Sequence, residues 1–194
     1  SNNSYFDNGI KNNFEIFIRN LNTVGKNNIQ YKNSPQSELI TSYMYNVSLP
    51  LIKNTPKYQN YIEPKFSLKF SPHDMKNHLN LGRSINVDNI YNIDRLSMGD
   101  SFESGESLTL GIQYKKSKIT DNSNNKKIKE IERYLDLRLA TVIRNKVEKN
   151  IPQTTTLGKR NSNIFGGIKY NLSKNLSFNY NFSAKKDFSI FEYN

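Results

Sequence analysis

Hydrophobic and polar residues alternate with a period of two along much of this chain, as they do in a β-strand with two unlike faces. The clearest run covers residues 61–71, where every charged residue falls at one parity and the apolar residues fall at the other. A helix, with its repeat of about 3.6 residues, would spread these charges around its circumference. Pro64 lacks a backbone N–H, so it predicts a local irregularity in this strand.

Similar runs recur along the chain and predict about eight to ten strands. They cover residues 14–18, 39–49, 108–115, 135–143, 164–170, 176–182 and 188–193. The segments between them read as breaks or loops at 22–28, 121–125 and 145–162 and as a hairpin turn at 171–175. Residues 126–135 fit a short helix as well as the start of a strand. With no helical crossovers, the pattern predicts an all-β, antiparallel up-and-down meander.

The length of these strands favours a membrane barrel over a soluble sheet. Runs of about 9–11 residues suit a tilted barrel wall, whereas strands of soluble proteins run to about 5–6 residues. Tyrosines near strand ends on the apolar face fit an aromatic girdle at a membrane surface: Tyr43, Tyr45, Tyr114 and Tyr170. A soluble β-sandwich or an adhesin-like sheet remains the alternative. Because the sequence begins and ends inside patterned segments, we expect a partial segment of a larger transmembrane β-barrel.

The composition limits the kinds of catalytic and metal site that the chain can form. The chain has no cysteine and only two histidines, His73 and His78, so thiolate sites, zinc sites and histidine-based catalysis are not expected. The mean hydropathy of −0.75 does not argue against a barrel, because alternating strands escape a hydropathy average. The formal net charge of +11 indicates either an anionic partner or lysines that decorate turns and hydrated strand faces.

One stretch of the chain has a familiar order of residues. Residues 84–96, with Asp88, Asn89, Tyr91 and Arg95, resemble the signature of the lipopolysaccharide-assembly family LptD, also called organic solvent tolerance proteins. The following segment, 103–111, resembles the strand opening of that family and contains Glu103, Gly105 and Glu106. Further similarity, particularly to alphaproteobacterial members, extends over 48–51, 62–68, 151–157 and 162–167. The resemblance departs from the family pattern at residues 90–91, 94 and 104–105.

The resemblance implies a non-catalytic role in the bacterial outer membrane. Residues 1–194 would form part of one barrel of roughly 26 strands, with the N-terminal jelly-roll domain and the remaining strands outside this sequence. The barrel would receive lipopolysaccharide from the periplasmic Lpt bridge and insert it into the outer leaflet, with an LptE-like lipoprotein plug in its lumen. No cofactor and no nucleic acid are implied.

The alternation then assigns the strand residues to two environments. Residues expected to face outer-membrane lipid are Phe66, Leu68, Phe70, Leu108, Leu110 and Ile112. Residues expected to face the lumen are Glu63, Lys65, Lys69, Gln113, Lys115 and Arg138. The basic members either attract lipopolysaccharide phosphates or an acidic plug, or pair with lumen carboxylates.

The sequence leaves alternatives open for the signature residues and for the function. The signature residues Asp88, Asn89 and Arg95 would order a loop by hydrogen bonds, or contact a ligand. Glu103 and Glu106 have the spacing of a carboxylate pair, but no cleft signal supports glycosidase chemistry. The rival functions are another outer-membrane barrel, such as a porin or receptor, and a soluble basic β-protein that binds nucleic acid. The latter predicts aromatic residues on the same face as the lysines.

Overall fold

The computed structural model describes residues 2–6, 8–27, 32–122, 125–173, 175–185 and 191–193. In these ranges the chain forms ten strands and one short 3₁₀ helix, Gln153–Thr155, which confirms the predicted all-β class. The strands are β1 Asn2–Tyr5, β2 Lys11–Thr23, β3 Gln36–Ser48, β4 Leu51–Asn54, β5 Tyr58–Ser71, β6 Gly105–Asn122, β7 Asn125–Arg144, β8 Asn161–Ser173, β9 Leu176–Ala184 and β10 Phe191–Tyr193.

All the strands join one antiparallel sheet in sequence order, and only β4 leaves the simple path. The predicted up-and-down meander is therefore confirmed. In the described part of the chain β1 pairs with β2 and β10 pairs with β9, so the sheet is open, as a partial segment of a barrel would be.

The irregularity predicted at Pro64 is present on one side of β5. On that side β3 pairs with β5 as far as Lys65, and β4 takes over at Ile62. Pro64 thus lies at the break between two partner strands, where its missing N–H leaves no ladder bond unmade, and its carbonyl accepts a hydrogen bond from the N–H of Leu49 at 3.2 Å. On the other side it stays in register with Ile112.

The structure decides one alternative that the sequence left open, and one local prediction was wrong. Residues 126–135 form part of β7, not a helix, and they pair with β6. Asp121 and Asn122 belong to β6 and not to a loop, while residues 123 and 124 lie outside the described residues. The asparagine-rich composition suggested a loop, but the ladder with the partner strand continues through it, because pairing across the hairpin outweighs local propensity. Residues 188–190 of the last predicted run also lie outside the described residues.

The connections differ at the two ends of the sheet. At one end, here called the loop end, the strands are joined by residues 24–35, 72–104, 145–160 and 185–190. At the other, the turn end, the connections are short: 6–10, 55–57, 123–124 and 174–175. The predicted loop at 145–162 is confirmed up to Arg160, where β8 follows from Asn161. The hairpin of β8 and β9 is also confirmed, but its turn is shorter than the predicted 171–175 because β8 extends to Ser173.

The buried apolar core lies beside the sheet. Residues 72–104, here called the insertion, fold back over the polar face of the sheet together with the loop 145–160. The core cluster draws on the insertion, the loop and the sheet: Met75, Ile85, Val87, Ile90, Leu96, Met98, Ala140, Val142, Ile151, Leu157 and Phe165. Only Ala140, Val142 and Phe165 come from strands, and they lie on the polar face. The apolar face contributes none of the cluster.

Candidate functional site

A buried ionic cluster joins the insertion to the polar face at the loop end. The carboxylate of Glu103 accepts hydrogen bonds from Arg95 at 2.5 and 2.7 Å, from Lys69 at 3.0 Å and from Arg144 at 2.6 Å. All four side chains are buried, and Glu103 is only 2% exposed. Three cations surround one carboxylate here, so its removal would leave three buried positive charges without a counter-charge.

The electrostatics of Glu103 follow from this arrangement. Burial alone would raise the pKa of the Glu103 carboxyl, but Arg95, Lys69 and Arg144 outweigh it and hold that pKa well below its usual range. Arg95 uses its remaining donors on Ser107 at 3.0 Å, Thr109 at 3.1 Å and the carbonyl of Ile90 at 3.3 Å. The cluster therefore fixes the insertion to β6 through hydrogen bonds that are buried from water.

Two glycines on the polar face make room for the insertion. A Cβ on Gly111 would collide with the hydroxyl of Tyr91 and lie 2.6 Å from the carbonyl oxygen of Leu139. A Cβ on Gly167 would lie 2.6 Å from a methyl group of Val87. Burial, with the nearby Glu63, raises the pKa of the Tyr91 phenol above its usual range, so the phenol stays neutral. Glycine at these positions permits the close approach.

An open cavity lies on the polar face, on the side of the insertion that is nearer the turn end of the sheet. This cavity has a volume of about 400 Å³ and is lined in part by Glu63, Lys65, Tyr91, Gln113 and Arg138. Glu63 accepts a hydrogen bond from Ser48 at 2.9 Å and pairs with Lys65 at 3.2 Å. The cavity can hold water or polar groups, but most of the charged side chains that line it are paired within the protein.

The residues predicted to face a lumen all lie on the polar face, in two situations. Glu63, Lys65, Gln113 and Arg138 line the cavity, and Gln113 donates to Asp136 at 2.9 Å. Lys115 lies at the same parity and stacks on the ring of Tyr61 at 4.9 Å. Lys69 is different, because the insertion covers it: its ammonium group contacts Glu103 and lies 4.7 Å from the ring centroid of Phe102.

The residues predicted to face lipid all lie on the opposite face, and most of them are bare. Leu68 is 48% exposed, Ile112 47%, Phe70 45% and Leu110 38%, while Phe66 and Leu108 are half-buried. On the same face, strand β2 adds Phe14, Ile16 and Ile18, which are more exposed still. Within the described residues, no part of the chain folds over this surface to form a second layer.

The signature residues converge on the insertion and its anchor. Asp88 pairs with Arg138 of β7, Asn89 accepts from the N–H of Asn86 at 2.9 Å and donates to the carbonyl of Ser84 at 3.2 Å, and Arg95 binds Glu103. Gly105 opens β6 in the left-handed region at φ +80°.

Glu103 and Glu106 do not form a pair. Glu106 is exposed at the loop end and accepts from Asn145 at 2.8 Å, whereas Glu103 is buried. The described residues contain no group of three or more metal-binding side chains. The arrangement can hold the insertion in position on the sheet, and Glu103 and Glu106 do not form an acid–base pair.

Sequence reasoning missed Arg144, Lys69's role as an anchor and the core of the insertion. Arg144 is the last residue of β7 and shares the polar face with Ala140 and Val142. A single arginine after small buried residues at the same parity is the sequence signal that indicates a buried ion pair. Ile85, Ile90 and Leu96 lie within the segment that resembles the family signature, and apolar residues repeated along a long connection are the signal of a packed segment.

Comparison with known proteins supplies the family. The described part of the chain has no helix long and apolar enough to cross a membrane. No curated protein matches the sequence. The model of the family described as LptD, LPS transport system D, matches residues 19–187, which is most of the chain. The matched region includes the insertion, the ionic cluster and most of the strands. The chain therefore belongs to the LptD family of lipopolysaccharide transport proteins.

Proposed function

We propose that this chain forms part of the wall of a β-barrel in the bacterial outer membrane, and that this barrel inserts lipopolysaccharide into the outer leaflet without catalysing a reaction. One observation carries the proposal: where the insertion docks on the polar face, the charged side chains of both are covered and paired, while apolar side chains on the opposite face of the sheet are bare. Lys69 is 5% exposed and Arg95 4%, whereas the neighbouring Leu68 is 48% exposed.

The apolar face supports a lipid environment for a simple energetic reason. Exposed apolar surface in water is unfavourable in proportion to its area, and soluble monomers rarely leave such a contiguous patch bare. Acyl chains remove that penalty. Leu68, Phe70, Leu110 and Ile112 would then contact lipid, and Phe66 and Leu108 would fill the space between them.

The polar face supports a hydrated lumen. Glu63, Lys65, Gln113, Lys115 and Arg138 would line that lumen, and the insertion would narrow it at the loop end. The cavity beside Lys65 is the place where a plug protein of the LptE kind would reach the wall. The periplasmic bridge components would act through the jelly-roll domain of the complete barrel protein, so residues 1–194 would contribute to one domain only.

The test is depletion of the full-length protein in the organism that encodes it. An impermeant lipopolysaccharide-specific antibody on intact cells measures how much newly labelled lipopolysaccharide reaches the surface. We expect arrival to stop on depletion and to return with the wild-type gene. Continued arrival of labelled lipopolysaccharide after complete depletion would contradict the proposal.

A further inference from the structure

The apolar face has a groove near the loop end. It has a volume of about 590 Å³, within the range of pockets that bury a ligand. The groove crosses β3, β5, β6 and β7, and its apolar lining includes Tyr43, Tyr45, Leu68, Phe70, Leu108 and Ile143. The rings of Tyr43 and Phe70 stack at 6.4 Å between centroids, so part of this lining is fixed.

A free cation stands at the loop-end rim of this groove. Arg160 lines the groove and is exposed, and its side chain forms no hydrogen bond or ion pair within the described residues. Asn145 and Glu106 complete the rim and bind each other at 2.8 Å. A guanidinium group matches the geometry of a phosphate and binds it in a bidentate manner.

The loop that supplies Arg160 is basic as a whole. Residues 145–160 contain Lys146, Lys149, Lys159 and Arg160 against a single acidic residue, Glu148. Glu148 is used inside the protein, because it accepts from the hydroxyl of Ser104 at 2.9 Å and from the N–H of Asn150 at 3.0 Å. The rim therefore presents positive charge beside an apolar groove, which suits a ligand with acyl chains and a negative headgroup.

The opposite end of the apolar face lacks this arrangement. There Lys116 lies over the rings of Tyr58 and Tyr134, at 4.6 and 5.9 Å from their centroids. Cation–π contacts of this kind already satisfy the lysine. Lys53 and Lys118, also toward the turn end, are exposed lysines outside the groove, whereas the loop end combines an unpaired guanidinium with the groove.

The orientation of the sheet selects the leaflet. Outer-membrane barrels have short turns on the periplasmic side and longer loops outside. The long connections 72–104 and 145–160 place the loop end, and with it Arg160, at the headgroups of the outer leaflet. We propose that this groove binds the acyl chains of one lipopolysaccharide molecule on the outside of the barrel wall, with a phosphate on Arg160. The inference rests on the proposed function and adds a fixed site for the delivered lipid.

Photo-crosslinking of the full-length protein tests the site. Tyr45 is replaced by a photoreactive benzoyl-phenylalanine, and the purified protein is placed in phosphatidylcholine vesicles that contain lipopolysaccharide. We expect a lipopolysaccharide adduct at position 45 and little at Leu172, an exposed apolar residue outside the groove. Equal adducts at the two positions would overturn the site.

Charge variants test the headgroup contact. Arg160→Glu should lower the adduct at position 45 about tenfold, the size of a lost charge-assisted hydrogen bond. Lys53→Glu, at an exposed site on β4, should leave it unchanged. Glu106→Gln removes the rim's acidic group and should raise the adduct, so the test survives if Arg160→Glu fails to fold. An adduct insensitive to both Arg160→Glu and Glu106→Gln would overturn the phosphate contact.

Lipid composition separates the sources of phosphate. Replacement of lipopolysaccharide by phosphatidylglycerol, or by enzymatically dephosphorylated lipopolysaccharide, should each abolish the preference for position 45. Equal crosslinking to phosphatidylglycerol would show a site for any anionic lipid and overturn the assignment to lipopolysaccharide. Absence of binding in the groove is distinguishable from failure of the proposed function. The arrival of lipopolysaccharide at the cell surface is measured with the wild-type protein and does not depend on a crosslink at position 45.

Discussion

The two faces of this sheet differ in which side chains are covered: charged residues are buried on the polar face, and apolar residues are exposed on the other. On the polar face Lys69 and Arg144 are 5% and 3% exposed, because Glu103 and Arg95 of the insertion cover them. On the apolar face Ile16 and Leu68 are 57% and 48% exposed. A soluble protein does the reverse, because burial of charge is unfavourable and burial of apolar surface is favourable. The difference agrees with the proposed position of the sheet between acyl chains and a hydrated lumen, and a substitution on either face tests it.

Loss of the central carboxylate should have the largest effect. Glu103→Gln leaves Lys69, Arg95 and Arg144 buried without a counter-charge, which should destabilise the docked insertion by about 3–5 kcal/mol. Hydrogen exchange of the amides in 84–98 in the full-length protein measures it. Glu106→Gln is the matched control, since Glu106 is exposed. Equal protection in the two variants would show that the cluster does not anchor the insertion.

A cation placed on the apolar face should have the next largest effect. Leu110→Arg puts a charge among residues that the account assigns to acyl chains, at about 2–4 kcal/mol near the bilayer midplane. Leu172→Arg, at the turn end of β8, should change stability by about 0–1 kcal/mol. Urea unfolding of the full-length protein in lipid vesicles gives both values. Equal tolerance of the two arginines would contradict the assignment of this face to lipid.

A methyl group at the glycine beneath Tyr91 should have a smaller effect on the polar face. Gly111→Ala drives a Cβ into the Tyr91 hydroxyl and against the carbonyl of Leu139, and overpacking of this kind costs about 1–3 kcal/mol. Gly99→Ala should be neutral, because nothing lies within 4 Å of its added Cβ. The readout is again hydrogen exchange in the insertion. Tyr91→Ala should recover part of the loss in Gly111→Ala, and absence of any recovery would contradict the close approach.

The smallest expected effect is that of mild acid. The pKa of the Glu103 carboxyl is lowered in the folded protein and near 4.3 when unfolded. Its contribution to stability is therefore complete above about pH 4.3 and is lost only as the pH falls toward the folded pKa. The contribution of Glu103 to exchange protection of the insertion, taken as the difference between the wild type and Glu103→Gln, should thus be the same at pH 8 and pH 5. A loss of protection between these values that disappears in Glu103→Gln would contradict the assignment.

The sequence predicts the strands well because the signal is local. Residues 61–71 alternate strictly, and each parity meets one environment along the whole strand. The anchoring cluster is not local: Lys69 is 34 residues from Glu103 and Arg144 is 41 residues from it. Alternation places Lys69 on the polar face but does not reveal whether water or another segment covers it. The strand at 126–135 was ambiguous for the same reason, since its partner β6 decides the structure.

The most direct test of the central claim is a spin-label scan along β6 in lipid vesicles, one position at a time from Leu108 to Tyr114 of the full-length protein. Lipid-soluble oxygen and a water-soluble nickel complex report the surroundings of each label. High oxygen accessibility is expected at Leu108, Leu110 and Ile112, and low oxygen accessibility at Thr109, Gly111 and Gln113, because the two sets face lipid and the lumen respectively. Equal accessibility at even and odd positions, or nickel access at Leu110 and Ile112, would contradict the central claim.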